Sequence, residues 1–187
     1  MKKIPTLFLR DPARPQNLLR EYHPDALRVI RTTGTLPTRK YDGQCVRVLD
    51  GKLWRRHAVK AGKREPEEFE FVDYDPITGK TTGWVPADPD DPADQYILEA
   101  WESTDFTTDE ATYEAIGPKI RTNSDHAAYH TLVRHDLAEV IHPAPPTTYL
   151  ELEAYLKDFP HEGIVWQSPD GPMCKIKVRD FHRSGRR

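Results

Sequence analysis

Apolar positions along this chain recur mostly with the period of two that marks strands, interrupted by turns built on Gly and Pro. Residues 44–60 show it best. Gln44-Cys45-Val46-Arg47-Val48-Leu49 and a second run over 52–60 flank Asp50-Gly51, a dipeptide that favours a tight hairpin. Alternation along the second run puts Leu53, Arg55 and His57 on one face and Trp54, Arg56 and Ala58 on the other. Residues 111–116 read as a further strand closed by Gly117-Pro118, and residues 129–133 as another. Residues 162–166 and 173–178 read as two strands joined by a turn over 168–171, with Lys175 and Lys177 on one face and Cys174, Ile176 and Val178 on the other. Helical signals are sparser. Thr148 with Glu151 has capping-box form, and Leu150, Leu152, Tyr155, Leu156 and Phe159 carry a short helix that stops before Pro160. Residues 17–22 read as a turn or two of helix, residues 29–31 as a short strand, and residues 32–37 as a loop. Pro66, Pro76, Pro86, Pro89 and Pro92 make residues 65–95 irregular, with a turn over 75–80; residues 96–101 resume as a strand or short helix.

Composition narrows this picture. A chain of 187 residues suits one domain, 1–187, with a sizeable core. The net charge of −3 gives no overall attraction to nucleic acid, so any such binding rests on local patches. Residues 85–110 hold nine acids and no Lys or Arg, which reads as a solvated acidic insertion. From Gly171 onward there are six Lys/Arg and one acid, so the C-terminal end is locally basic. Lys60, Lys63 and Arg64 form a second basic stretch that faces phosphate or water. Cys45 and Cys174, both in strand-like runs, imply no disulfide framework. The four histidines at 126, 130, 135 and 142 follow no zinc-ligand spacing. With no apolar run of membrane-spanning length and no signal-like start, the expectation is a cytoplasmic protein without a membrane partner.

Candidate chemistry centres on Arg39-Lys40-Tyr41-Asp42-Gly43. A lysine amine attacks phosphorus or a carbonyl only when neutral. From an unperturbed pKa of ~10.4, reaching that state near neutral pH costs roughly 4 kcal/mol. Partial burial and nearby cations lower the cost. Asp42 is placed to hold Lys40 or to bind a nucleotide, and Gly43 to let the backbone pass close to a ligand. Arg56 is a candidate for the pocket beside Lys40. Glu114 lies between apolar neighbours, Glu162 opens a strand, and Lys175 and Lys177 would repel each other unless an anion lies between them. Lysines with a carboxylate-held divalent metal are what nucleotidyl transfer requires, because charge develops on the α-phosphoryl oxygens.

The ordered set Lys40-Tyr41-Asp42-Gly43, Tyr113-Glu114-Ala115-Ile116-Gly117, Glu162-Gly163-Ile164-Val165 and Lys175-Ile176-Lys177 resembles the covalent nucleotidyltransferases, and among them the small ATP-dependent RNA ligases. Leu53-Trp54-Arg55-Arg56 and Gly83-Trp84-Val85-Pro86 add to the likeness, which spans residues 39–178. The resemblance implies an α+β nucleotidyltransferase (adenylation) domain: two antiparallel sheets with the nucleotide between them, flanked by short helices. It implies a lysyl–AMP adduct on Lys40, with Asp42 and Gly43 shaping its loop. Arg56 and Glu114 would contact the nucleotide, Glu162 would place Mg²⁺ or Mn²⁺, and Lys175 and Lys177 would contact the α-phosphate. Tyr129 is the candidate for stacking on adenine, with Phe159 read as core. The implied reaction uses ATP to join 5′-phosphate and 3′-hydroxyl RNA ends, with no obligate protein partner. Only ten residues follow Lys177, so no separate C-terminal domain is expected; Arg179, Arg183, Arg186 and Arg187 are the basic residues left to meet phosphate. The rival readings are a DNA ligase, a capping guanylyltransferase or another lysine-adduct enzyme, and a non-catalytic module that binds nucleotide or RNA ends.

Overall fold

The structure, a computed structural model, describes residues 2–76, 78–104 and 110–182. Among the described residues it is mixed α and β, with four α-helices and three antiparallel sheets, and its contacts divide into two compact units. Among the described residues, one unit is drawn from Met1–Lys3 and Asp42–Leu137, the other from Ile4–Tyr41 and Ala138–Arg187. No helix among the described residues is long and apolar enough to cross a membrane.

The second unit holds β1 (Phe8–Arg10), β2 (Leu18–Tyr22), α1 (Pro24–Arg31), β3 (Leu36–Lys40), α3 (Tyr149–Leu156), β10 (Gly163–Gln167), β11 (Met173–Lys177) and α4 (Val178–His182). Strands β11, β10 and β3 form one antiparallel sheet in that order. Alternation along it puts Ile164, Trp166, Cys174 and Ile176 into a core with Leu7, Phe8, Ala26, Val29, Leu152 and Leu156. Burying these side chains drives the unit, at about 1.5–3 kcal/mol for each large one. The opposite face carries Thr38, Lys40, Gly163, Val165, Lys175 and Lys177.

Three expectations fail here. Residues 29–31 are the last turn of α1, not a strand. Pro24 sits in the first turn, the His23 ring accepts a hydrogen bond from the Asp25 amide at 3.2 Å, and Ala26 and Val29 share the buried face at helical spacing. Residues 18–22 are strand β2, paired to β1, rather than helix. Part of the 32–37 loop belongs to β3, which runs through Pro37. Proline is tolerated because Pro37 faces the outer edge of β3, where its carbonyl accepts from the Ile141 amide at 2.9 Å and its missing N–H breaks no bond to β10. The helix over 149–156 forms as expected, although the Thr148 hydroxyl donates to the Glu151 carboxylate instead of accepting from the backbone.

The first unit holds β4 (Gln44–Leu49), β5 (Lys52–Val59), β6 (Glu70–Asp75), β7 (Lys80–Pro86), α2 (Gln95–Glu102), β8 (Ala111–Ile116), β9 (Thr131–Arg134) and a 3₁₀ turn over His135–Leu137. Its sheet runs β6-β7-β5-β4-β8-β9. The β4–β5 hairpin turns on Asp50 and Gly51, both at positive φ (50° and 66°) as a primed turn requires. One face packs Val46, Val48, Leu53, Tyr113, Ala115 and Leu132 against Ile97 and Ala100 of α2. Strands β6 and β7 correct the expectation of an irregular 65–95: Pro86 ends β7 rather than breaking it, and Pro76 sits in the connecting turn, of which Ile77 lies outside the described residues.

The acidic insertion is also not simply solvated. Asp94 is 1% exposed and accepts from Arg55 Nε at 2.9 Å and from the Asp88 amide at 3.0 Å. Asp105 and Asp109 lie outside the described residues. A buried carboxylate needs such a partner.

Two stability predictions follow from this packing. Arg55→Ala strands the Asp94 carboxylate and lowers unfolding free energy by about 3 kcal/mol in urea titration. Gly163→Ala destabilises by about 1–3 kcal/mol by forcing β10 from β11, because a Cβ there would meet Ile176 O at 2.1 Å and Lys177 Cα at 2.8 Å.

Candidate functional site

Strand register assembles a charged cluster on the coreless face of the β11-β10-β3 sheet. Gly163 on the middle strand is the register partner of Lys40 on one side and Lys177 on the other. Glu162 enters the sheet between them. Its Oε2 accepts from Lys40 Nζ at 2.5 Å, and its Oε1 accepts from Lys177 Nζ. Lys40 Nζ also donates to the Tyr41 carbonyl at 3.2 Å. The side chains of Lys40, Glu162 and Lys177 are 15%, 9% and 19% exposed, so the clasp is only partly wet. Lys175 lies two residues before Lys177 on the same face, opposite Val165, and its backbone ties to residues 5–7. Lys40 is the last residue of β3. Beside it, the Arg39 guanidinium lies 4.5 Å from the centre of the Tyr41 ring and reaches Glu139.

Asp42 and Gly43 belong to the other unit. The Asp42 carboxylate accepts from the hydroxyls of Thr122 (3.0 Å) and Ser124 (3.3 Å), and its amide donates to Asp125 at 2.8 Å. The Gly43 amide donates to Glu114 Oε1 at 3.0 Å. Gly43 is required by the fold: a Cβ would lie 2.0 Å from the Ala115 carbonyl oxygen. The close approach foreseen for a ligand is occupied by strand β8.

Glu114 Oε2 faces His135 Nε2 at 3.2 Å, and His135 Nδ1 faces the Thr112 hydroxyl at 3.0 Å. Cys45 is the register partner of Glu114, and one donor atom each from Cys45, Glu114 and His135 falls within 4.8 Å of the others. Sequence alone sets both aside, Cys45 as a thiol with no disulfide framework and His135 among histidines that follow no zinc-ligand spacing. Only the pairing of β4 with β8 and of β8 with β9 brings them beside Glu114.

Arg56 lies on the coreless face of the six-stranded sheet with its guanidinium 5.3 Å from the Trp84 ring centre. Arg47 lies 5.0 Å from Trp54 and 5.2 Å from Trp84, and its fork grips Glu70 at 2.8 and 2.5 Å. Tyr129 is 68% exposed. Phe159 packs against the core as read, and also lines an open cleft with Tyr155, His142 and His161. Arg183, Arg186 and Arg187 lie outside the described residues.

Each Glu162 oxygen accepts from one ammonium group, so an arriving cation competes with Lys40 and Lys177 for this carboxylate. With nucleotide phosphate oxygens supplying the remaining ligands, a single carboxylate has the oxygen chemistry that Mg²⁺ takes. The other cysteine, Cys174, is no candidate for thiolate chemistry: burial pushes its thiol up to about 12. No protein-family model matches the chain, and no curated protein matches it in sequence.

Proposed function

We propose that this protein is an ATP-dependent RNA ligase acting through a lysyl–AMP adduct on Lys40. The observation that carries the reading is the clasp of one carboxylate, Glu162, by Lys40 and Lys177 on a polar sheet face. An amine nucleophile needs to be held in place, relieved of its proton and set beside a second cation that meets phosphate. Lys40, Glu162 and Lys177 are the residue types for those tasks, and each lysine is within bonding distance of Glu162. The ordered motifs from Lys40 to Lys177 support the same reading.

In the first step Glu162 takes a proton from Lys40. The neutral amine attacks the α-phosphorus of ATP, an N–P bond forms, the bond to the bridging oxygen breaks and pyrophosphate leaves. Lys177, with Lys175 beside it, meets the charge gathering on the α-phosphoryl oxygens. A bound divalent cation would neutralise phosphate charge, with Glu162 the residue to hold it. In the second step a 5′-phosphate oxygen of RNA attacks the adduct phosphorus. The P–N bond breaks, the amine regains its proton, and the RNA end carries AMP. In the third, an RNA 3′-hydroxyl attacks the capped 5′-phosphorus and gives its proton to solvent, a phosphodiester forms, the bridging P–O bond to AMP breaks and AMP departs.

The deciding experiment is intact mass after incubation with ATP and Mg²⁺. The expected result is a gain of one AMP, absent in Lys40→Ala that melts like the native chain. No gain with native protein, or an undiminished gain in Lys40→Ala, overturns the reading. GTP in place of ATP, and nicked DNA in place of RNA, separate it from a capping enzyme and a DNA ligase. Lys177→Ala slows adduct formation by about 10²–10³-fold, measured by single-turnover release of pyrophosphate.

A further inference from the structure

We propose that Cys45, Glu114 and His135 bind a thiophilic divalent cation of the zinc class, with one coordination position left open. Three different elements supply the donors: Cys45 from β4, Glu114 from β8 and His135 from the turn after β9. Antiparallel pairing puts Cys45 directly across from Glu114, and the 3₁₀ turn carries His135 back onto the same strand's carboxylate. The donor atoms already lie within 4.8 Å of one another. Around one zinc ion, with Zn–S of about 2.3 Å and Zn–N of about 2.0 Å, neighbouring donors sit roughly 3.5 Å apart. His135 Nε2 and Glu114 Oε2, at 3.2 Å, are at that spacing without any movement.

The surroundings hold the donors in place. His135 Nδ1 is at hydrogen-bond distance from Thr112 Oγ1, which turns Nε2, now facing Glu114 Oε2, toward the ion's place. Glu114 Oε1 is anchored by the Gly43 amide, so Oε2, which faces His135 Nε2, is the oxygen that meets an ion. All three residues are half-buried, neither sealed from an entering ion nor flooded by water. A thiol, an imidazole and a carboxylate are a poor set for Mg²⁺ and a good one for zinc. Three protein ligands and a fourth open position is also the pattern of zinc sites that take water or substrate. On binding, the Cys45 thiol loses its proton to solvent and ligates as thiolate, and the His135 ring proton sits on Nδ1, donating to Thr112. The proposal does not rest on the ligase reading, since its readouts involve neither ATP nor RNA.

The test titrates the full, tag-free chain with Co²⁺ and follows thiolate-to-cobalt charge-transfer absorption, then competes with Zn²⁺. The expected result is one equivalent bound, a thiolate band that Zn²⁺ removes, no band in Cys45→Ser, and binding weaker by a factor of about ten or more in His135→Gln. Buried Cys174, its thiol pushed up to about 12, does not contribute such a band. Absence of the band in the native chain, or its survival in Cys45→Ser, overturns the proposal. A second measurement needs no variant. Zn²⁺ should slow iodoacetamide alkylation of Cys45, read by peptide mass, by about tenfold or more; an unchanged rate overturns the site.

Discussion

Everything proposed for the three-stranded sheet depends on one ionic constraint: a single carboxylate holding two ammonium groups. Two like charges about 4 Å apart repel by roughly 4 kcal/mol where the effective dielectric is about 20. Lys40 and Lys177 are therefore neighbours only because Glu162 lies between them, one oxygen for each. The clasp keeps a net positive charge on the face of the sheet opposite its hydrophobic core. A polyanion such as a nucleoside triphosphate answers that imbalance, since its phosphates supply the negative charge that one carboxylate leaves unmet.

The backbone builds the constraint through alternation. In β10 and β11, Ile164, Trp166, Cys174 and Ile176 go to the core, so Gly163, Val165, Lys175 and Lys177 must go to the other side. The six-stranded sheet repeats the scheme: Val46, Val48, Tyr113 and Ala115 are buried against α2, leaving Cys45, Arg47, Thr112 and Glu114 on the opposite face. A one-residue slip in either sheet would invert both faces together. Core packing thus sets the register, and the register sets which charged groups meet.

What was legible in the sequence was whatever this alternation writes locally. The β4–β5 hairpin, β8, β10 and β11 were readable because each carries several turns of the period and a clear turn signal, such as Asp50-Gly51. Strand β3 was hidden because Leu36-Pro37-Thr38-Arg39-Lys40 has neither an apolar stripe nor a proline-free core. Helix α1 was hidden by a histidine doing the work usually given to Ser, Thr, Asp or Asn. The burial of Asp94 was invisible among eight other acids, since only its partner Arg55, 39 positions away, distinguishes it. The clasp was legible as an ordered set of motifs, whereas Cys45 and His135 were not, because their relation to Glu114 exists only across strands.

The two glycines of the motifs show why such spacing persists without reference to a ligand. Gly43 and Gly163 each lie against a neighbouring strand so closely that a methyl group would fall 2.0 Å and 2.1 Å from a carbonyl oxygen. Each is followed or preceded by chemistry: the Gly43 amide anchors Glu114, and Gly163 separates Lys40 from Lys177 in the register. A larger residue would push the neighbouring strand away, and the acids and amines would lose contact early, because their bonds are short and directional. The glycine beside the acid in both motifs is thus a demand of strand packing, and the placement of the charged groups is its consequence.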